Sequence, residues 1–138
     1  MAKDLFDEAV KTALVKEDWT ITHDPLLLDS LNTQIYVDLG AEQVIGAERN
    51  TDRIAVEIKS FLGPSYVYEF YPALGQYMAY LRALSMREPD RKLILAVPEK
   101  AYKAFFTKPD VQQALVDFKL NLLVYDPKKE LIVDWFFV

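Results

Sequence analysis

The chain has no cysteine. That excludes disulfides and thiolate zinc sites, and it fits a reducing compartment. It has a single histidine, His23, so a zinc centre built on several imidazoles is ruled out. Any metal must be held by oxygens, the donor set of magnesium, calcium or manganese. No apolar run approaches the ~20 residues that cross a bilayer. Met1-Ala2-Lys3-Asp4 lacks the basic and apolar regions of a secretion signal. The expectation is a cytoplasmic protein with no membrane segment. An excess of basic charge is missing too: 16 Lys and Arg face 21 Asp and Glu, a net charge of −5. Phosphate neutralisation by cations dominates sequence-blind DNA binding. The balance therefore argues against an extended DNA grip and leaves room only for a local basic lip.

What is present suits one globular domain over residues 1–138, with 51% apolar and 27% charged residues. Asp4 is placed to cap a first helix over about residues 5–16, with Asp7 near its positive end. Trp19–Thr22 alternates as a half-exposed strand, and Pro25 limits it. A loop around Asp29 to Asn32 precedes a second strand from Gln34 to Leu39. Gly40 and Gly46 signal bends, an extended stretch runs from Gln43 to Ala47, and Asn50-Thr51-Asp52 reads as a turn. The strand Arg53–Ser60 returns from it, forming a hairpin beside the strand that bears Asp38. Gly63-Pro64 breaks the chain before a helix over about 67–86. Leu93–Val97 is a continuous apolar run, the mark of a strand buried on both faces. A short helix around Tyr102–Phe106 and another from Asp110 follow. Two last strands, Leu122–Tyr125 and Leu131–Phe137, are joined by a turn at 126–129. The order α-β-β-β-α-β-α-β-β implies an α/β domain with a central mixed sheet flanked by helices.

The most informative stretch is Arg53-Ile54-Ala55-Val56-Glu57-Ile58-Lys59. Residues i and i+2 of a strand share a face, so Glu57 and Lys59 leave the sheet together while Ile54, Val56 and Ile58 line the other side. An apolar strand with an acid and an amine on one face is explained by a site. Asp38, on the neighbouring strand, would complete a cluster of two acids and an ammonium. The bland alternative is a surface ion pair between Glu57 and Lys59, worth at most ~1 kcal/mol.

These residues resemble the PD-(D/E)XK nuclease superfamily, whose fold is restriction-endonuclease-like. Asp38 and Glu57-Ile58-Lys59 stand where its acid-acid-lysine set stands, although Val37 occupies the place of its proline. Glu8 on the first helix matches the helix-borne acid of several branches, and Gln76 and Tyr80 match a Gln-x-x-x-Tyr motif of others. Over nearly the whole length the chain is similar to the XisH family, called fdxN-element excision controlling factors. The likeness is carried by Ala2-Lys3-Asp4, the stretches 35–42 and 53–61, Ala73-Leu74-Gly75-Gln76-Tyr77 and Trp135-Phe136.

The resemblance implies a Mg2+- or Mn2+-dependent endonuclease or junction nuclease serving programmed DNA excision in heterocyst development. Its metal would be held by Asp38, Glu57 and the Ile58 carbonyl, with Glu8 extending the coordination. Lys59 would stabilise phosphoryl charge or position the attacking water. Gln76 and Tyr80 would orient Lys59 or bind phosphate. It also implies DNA and an XisI-like companion protein as partners. Two cuts would need two sites, hence a homodimer or a hetero-oligomer. The alternative is a non-catalytic DNA- or protein-binding regulator of a recombinase that retains the nuclease fold.

Overall fold

The computed structural model describes residues 5–45 and 50–138. The cap expected at Asp4, and the part of the extended stretch that holds Gly46 and Ala47, lie outside these residues. The helices are α1 (Asp7–Lys16), α2 (Tyr66–Arg87), α3 (Glu99–Ala101) and α4 (Pro109–Asp117), with a π-helical turn at Tyr102–Phe106 continuing α3. The strands are β1 (Thr20–His23), β2 (Leu26–Ser30), β3 (Thr33–Val37), β4 (Leu39–Ile45), β5 (Asn50–Ile58), β6 (Arg91–Pro98), β7 (Leu122–Asp126) and β8 (Leu131–Phe136).

Six strands form a mixed sheet in the order β1-β4-β5-β6-β7-β8. β5, β6 and β7 run parallel and the remaining pairs are antiparallel. The parallel centre follows from chemistry: Leu93-Ile94-Leu95-Ala96-Val97 is apolar on both sides and is buried on both. Side chains alternate between two cores. Ala55, Leu93, Leu95 and Val124 face α2. Val56, Ile58, Ile94 and Leu123 face Val10 and Leu14 of α1. The expected α/β architecture with a mixed sheet between helices is present. Among the described residues no helix is long and apolar enough to cross a membrane.

Five strands precede α2, where three were expected. Leu26–Ser30 and Thr33–Val37 form a separate two-stranded sheet, built where the sequence reads as a loop. Its turn residues Leu31 and Asn32 both have positive φ, 51° and 58°, the conformation of a tight hairpin turn. Leucine seldom adopts it, so Leu31 hides the turn signal. Asn50-Thr51-Asp52 is strand rather than turn: these residues pair with Ile45, Val44 and Gln43. The strand expected from Gln34 to Leu39 is two strands that part at Asp38. Val37 packs in the core beneath α2 and Leu39 in the core beneath α1. The chain passes from the small sheet to the large one at that residue.

Candidate functional site

β4 and β5 pair with Leu39 opposite Val56 and Gly40 opposite Ala55. One step further, that register sets Asp38 beside Glu57. The crossing at Asp38 leaves its backbone without a regular ladder partner on β5, and two side-chain bonds replace one. The Asp38 N–H donates to Glu57 Oε1 at 3.4 Å, and Asp38 Oδ2 accepts the Ile58 N–H at 2.7 Å. Each carboxylate thus serves the other's strand. Lys59 Nζ lies 3.3 Å from Glu57 Oε2, as expected for two residues on one face of a strand. The end of β5 is fixed from the other side: the Lys59 N–H donates to Ala96 O at 3.0 Å, and the Tyr125 hydroxyl donates to Lys59 O at 3.2 Å.

The electrostatics are unfavourable for two anions. Glu57 is buried, and burial first, then the Asp38 charge, push its carboxyl up to about 8; Lys59 opposes this only in part. Burial also raises Asp38, the charge of Asp7 adds to it, and the Ile58 N–H works in the opposite direction. At neutral pH the pair holds a proton that isolated carboxyls would have lost. Tyr80, half-buried on α2, is pushed up to about 12 by burial and then by the charges of Glu57 and Asp38, so its hydroxyl stands within electrostatic reach of both acids. Gln76, one turn earlier on α2, is exposed.

Glu8 stands away from this centre. Its side chain is 76% exposed and pairs with Lys11 at 2.6 Å. Lys11 also reaches Asp24 at 2.8 Å and Asp7 at 3.7 Å. The α1 acid that Asp38 senses is Asp7, which is only 3% exposed. The sequence held a signal for this. Asp7, Val10 and Leu14 lie on one stripe of α1, while Glu8 is rotated off it by the helical step. An acid on an apolar stripe is carried into the interior with it, as Asp7 is, while Glu8 stays in solvent.

The donor set suits a hard dication. It offers two carboxylates pressed together in a poorly hydrated place, with one ammonium to offset them. In an extended strand the N–H and C=O of one residue point to the same edge, so the Ile58 carbonyl leaves β5 on the side where its N–H meets Asp38. Among the described residues no group of three or more acidic or histidine side chains converges closely enough to hold an ion. Asp7 therefore acts on the pair through its charge at Asp38 and does not form a close trio with it.

Residues 1–133 match the family model described as XisH protein. The chain is similar to an XisH family protein from Nostoc punctiforme PCC 73102, whose crystal structure superposes with a TM-score of 0.86 at 39% identity, covering 96% of this chain and 99% of that one. It is similar to the same degree to a fdxN element excision controlling factor protein from Anabaena variabilis, with a TM-score of 0.86 at 41% identity, covering 97% of this chain and 99% of the other. Among curated proteins nothing matches. A family match over nearly the full length, joined to two relatives that share the whole fold, leads to one conclusion: the chain belongs to the XisH family.

Proposed function

We propose that this protein is a divalent-metal-dependent DNA phosphodiesterase, an endonuclease or junction nuclease of restriction-endonuclease-like fold, that acts in programmed site-specific excision. The single observation that supports this most is the pairing of Asp38 with Glu57, whose carboxyl is pushed up to about 8. A scaffold gains nothing from two acids buried side by side, one of which raises the other's proton affinity, whereas a dication replaces the retained proton and offsets the negative charge. Asp38, Glu57 and the Ile58 carbonyl would hold Mg2+ or Mn2+. Bound there, the ion would supply charge neutralisation at the phosphoryl oxygens and a more acidic water.

The chain's own groups do the rest. Asp38 holds the end of β5 through the Ile58 N–H, which keeps Glu57 and Lys59 in place. Lys59 presents an ammonium beside Glu57 Oε2, where it would meet the developing phosphoryl charge. Tyr80 presents a hydroxyl that stays protonated across the working pH range, fit to donate to a phosphate or to the attacking water. The protein would work in the cytoplasm, with a second copy or an XisI-like companion supplying the second site that cutting both strands requires.

A second reading has its own support. The net charge of −5 disfavours a tight independent grip on DNA, and the Anabaena variabilis relative is described as a controlling factor. On that reading the domain docks DNA or protein to regulate a recombinase without cutting. The test is incubation of the purified chain with supercoiled, linear and branched DNA in magnesium or manganese. Nicking or cleavage by the wild type, abolished in Glu57→Ala, is the expected result. Binding without cleavage, unaltered by that substitution, supports the regulator instead.

A further inference from the structure

The first turns of α2 carry two aromatic rings with no core to fill. Tyr68 is 76% exposed and Tyr71 is 61% exposed. Their spacing puts them on one face of the helix, and the rings meet edge to face with centroids 6.3 Å apart. Tyr68 walls a cleft of about 270 Å3 whose other lining includes Lys59, Ser60, Phe61, Glu69 and Pro72. The cleft and the acid pair thus share Lys59, whose Nζ lies 3.3 Å from Glu57 Oε2.

Its rim is rigid. Glu69 Oε2 accepts the Gly63 N–H at 3.1 Å, and Ser65 caps α2 by accepting the Tyr68 N–H. A Cβ at Gly63 would lie 3.0–3.2 Å from the Glu69 carboxyl group, so the 61–65 connection is drawn tightly onto the helix. Phe61, the floor of the cleft, is buried against Phe106 at 5.5 Å between centroids. A packed floor, an aromatic wall and an ammonium at one end form a shaped subsite.

We propose that this cleft takes one unpaired nucleotide next to the reacting phosphate, with its base stacked on Tyr68 and its phosphate at Lys59. The inference rests on the nuclease reading for the location of that phosphate, and it deepens that reading by naming the substrate class. Three features select a nucleotide. The cleft, at about 270 Å3, is of the size of a single nucleoside. Exposed tyrosine faces stack any base without regard to sequence. The one cation of the lining, Lys59, is the residue that pairs with Glu57, which suits a phosphate beside the acids and a base on Tyr68. The preferred DNA is then single-stranded, flapped or branched, because an intact duplex keeps its bases stacked and would need one extruded.

The experiment measures fluorescence anisotropy of a short fluorescein-labelled oligothymidylate and of the matching duplex, in EDTA, so that binding is read apart from cleavage. The wild type is expected to prefer the single strand. Tyr68→Ala is expected to weaken that binding roughly tenfold or more, and Tyr68→Phe to retain it. Tyr68 is exposed, so a thermal melt should show both variants folded. Equal binding of the single strand by Tyr68→Ala and wild type overturns the proposal. So does a preference for duplex, or an oligothymidylate that is not bound at all while a protein partner is lost on the same substitution. Tyr68-dependent binding without any metal-dependent cleavage upholds the cleft and removes the nuclease. Glu57-dependent cleavage indifferent to Tyr68→Ala does the reverse.

Discussion

Asp38 Oδ2 accepts the backbone N–H of Ile58 at 2.7 Å. This one bond ties the point where the chain changes sheets to the end of the strand that carries Glu57 and Lys59. The same carboxylate is both a structural clamp and a proposed metal ligand, so the site is assembled by the fold itself and not by a mobile loop.

The acid pair sets a pH dependence. Glu57 is raised from 4.5 to about 8, and Asp38 is also raised, burial being the first cause for each. Raised carboxyls bind protons more tightly in the folded state, so the pair's contribution to stability is fully present below the unfolded pKa. It falls as pH climbs from about 4.5 to about 8. Urea denaturation in EDTA should show the wild type losing on the order of a few kcal/mol across that window. Glu57→Gln, which keeps the shape and removes the titration, should show a much flatter profile and exceed the wild type at pH 8.

The two neighbouring acids of α1 should behave differently. Asp7 is buried and its charge is felt at Asp38, while Glu8 lies in solvent on Lys11. Asp7→Asn should change metal affinity, read by calorimetry with Mn2+, by roughly tenfold, the usual scale for a group that acts from behind the ligands. Glu8→Gln should leave it unchanged.

Tyr77 offers a structural control. Its hydroxyl is buried, donates to Leu93 O at 2.9 Å and accepts the Asn121 N–H at 3.1 Å. It joins α2 to β6 and to the start of β7, away from the acids. Tyr77→Phe leaves the Asn121 N–H without this acceptor, while Leu93 O keeps its bond from Asn121 Nδ2 at 3.0 Å, and should cost about 1–3 kcal/mol in denaturant titrations, with DNA binding and Mn2+ affinity unaltered in the folded variant.

Much of the centre is legible in the amino-acid order. Period-two alternation sets Glu57 and Lys59 on one face, and the hairpin between β4 and β5 brings Asp38 alongside. The doubly buried strand at Leu93–Val97 announces the parallel middle of the sheet. Other features depend on tertiary context. Val37 and Leu39 read as one face of one strand, yet they enter different cores because the chain changes sheets between them. Leu31 takes a backbone shape that leucine rarely adopts, which conceals the β2–β3 hairpin. Glu8 stands out in the sequence through the resemblance to a helix-borne acid, whereas Asp7 is distinguished only by the face of α1 that the fold buries.

The central claim is that Asp38 and Glu57 share a divalent cation. Crystals grown at pH 8 and soaked in Mn2+, with anomalous difference density measured at the manganese edge, test it most directly. The account predicts one strong peak between the two carboxylates that also touches the Ile58 carbonyl, and no peak there in Glu57→Gln. A map with no density between the two acids, or with manganese bound only elsewhere on the surface, would contradict it.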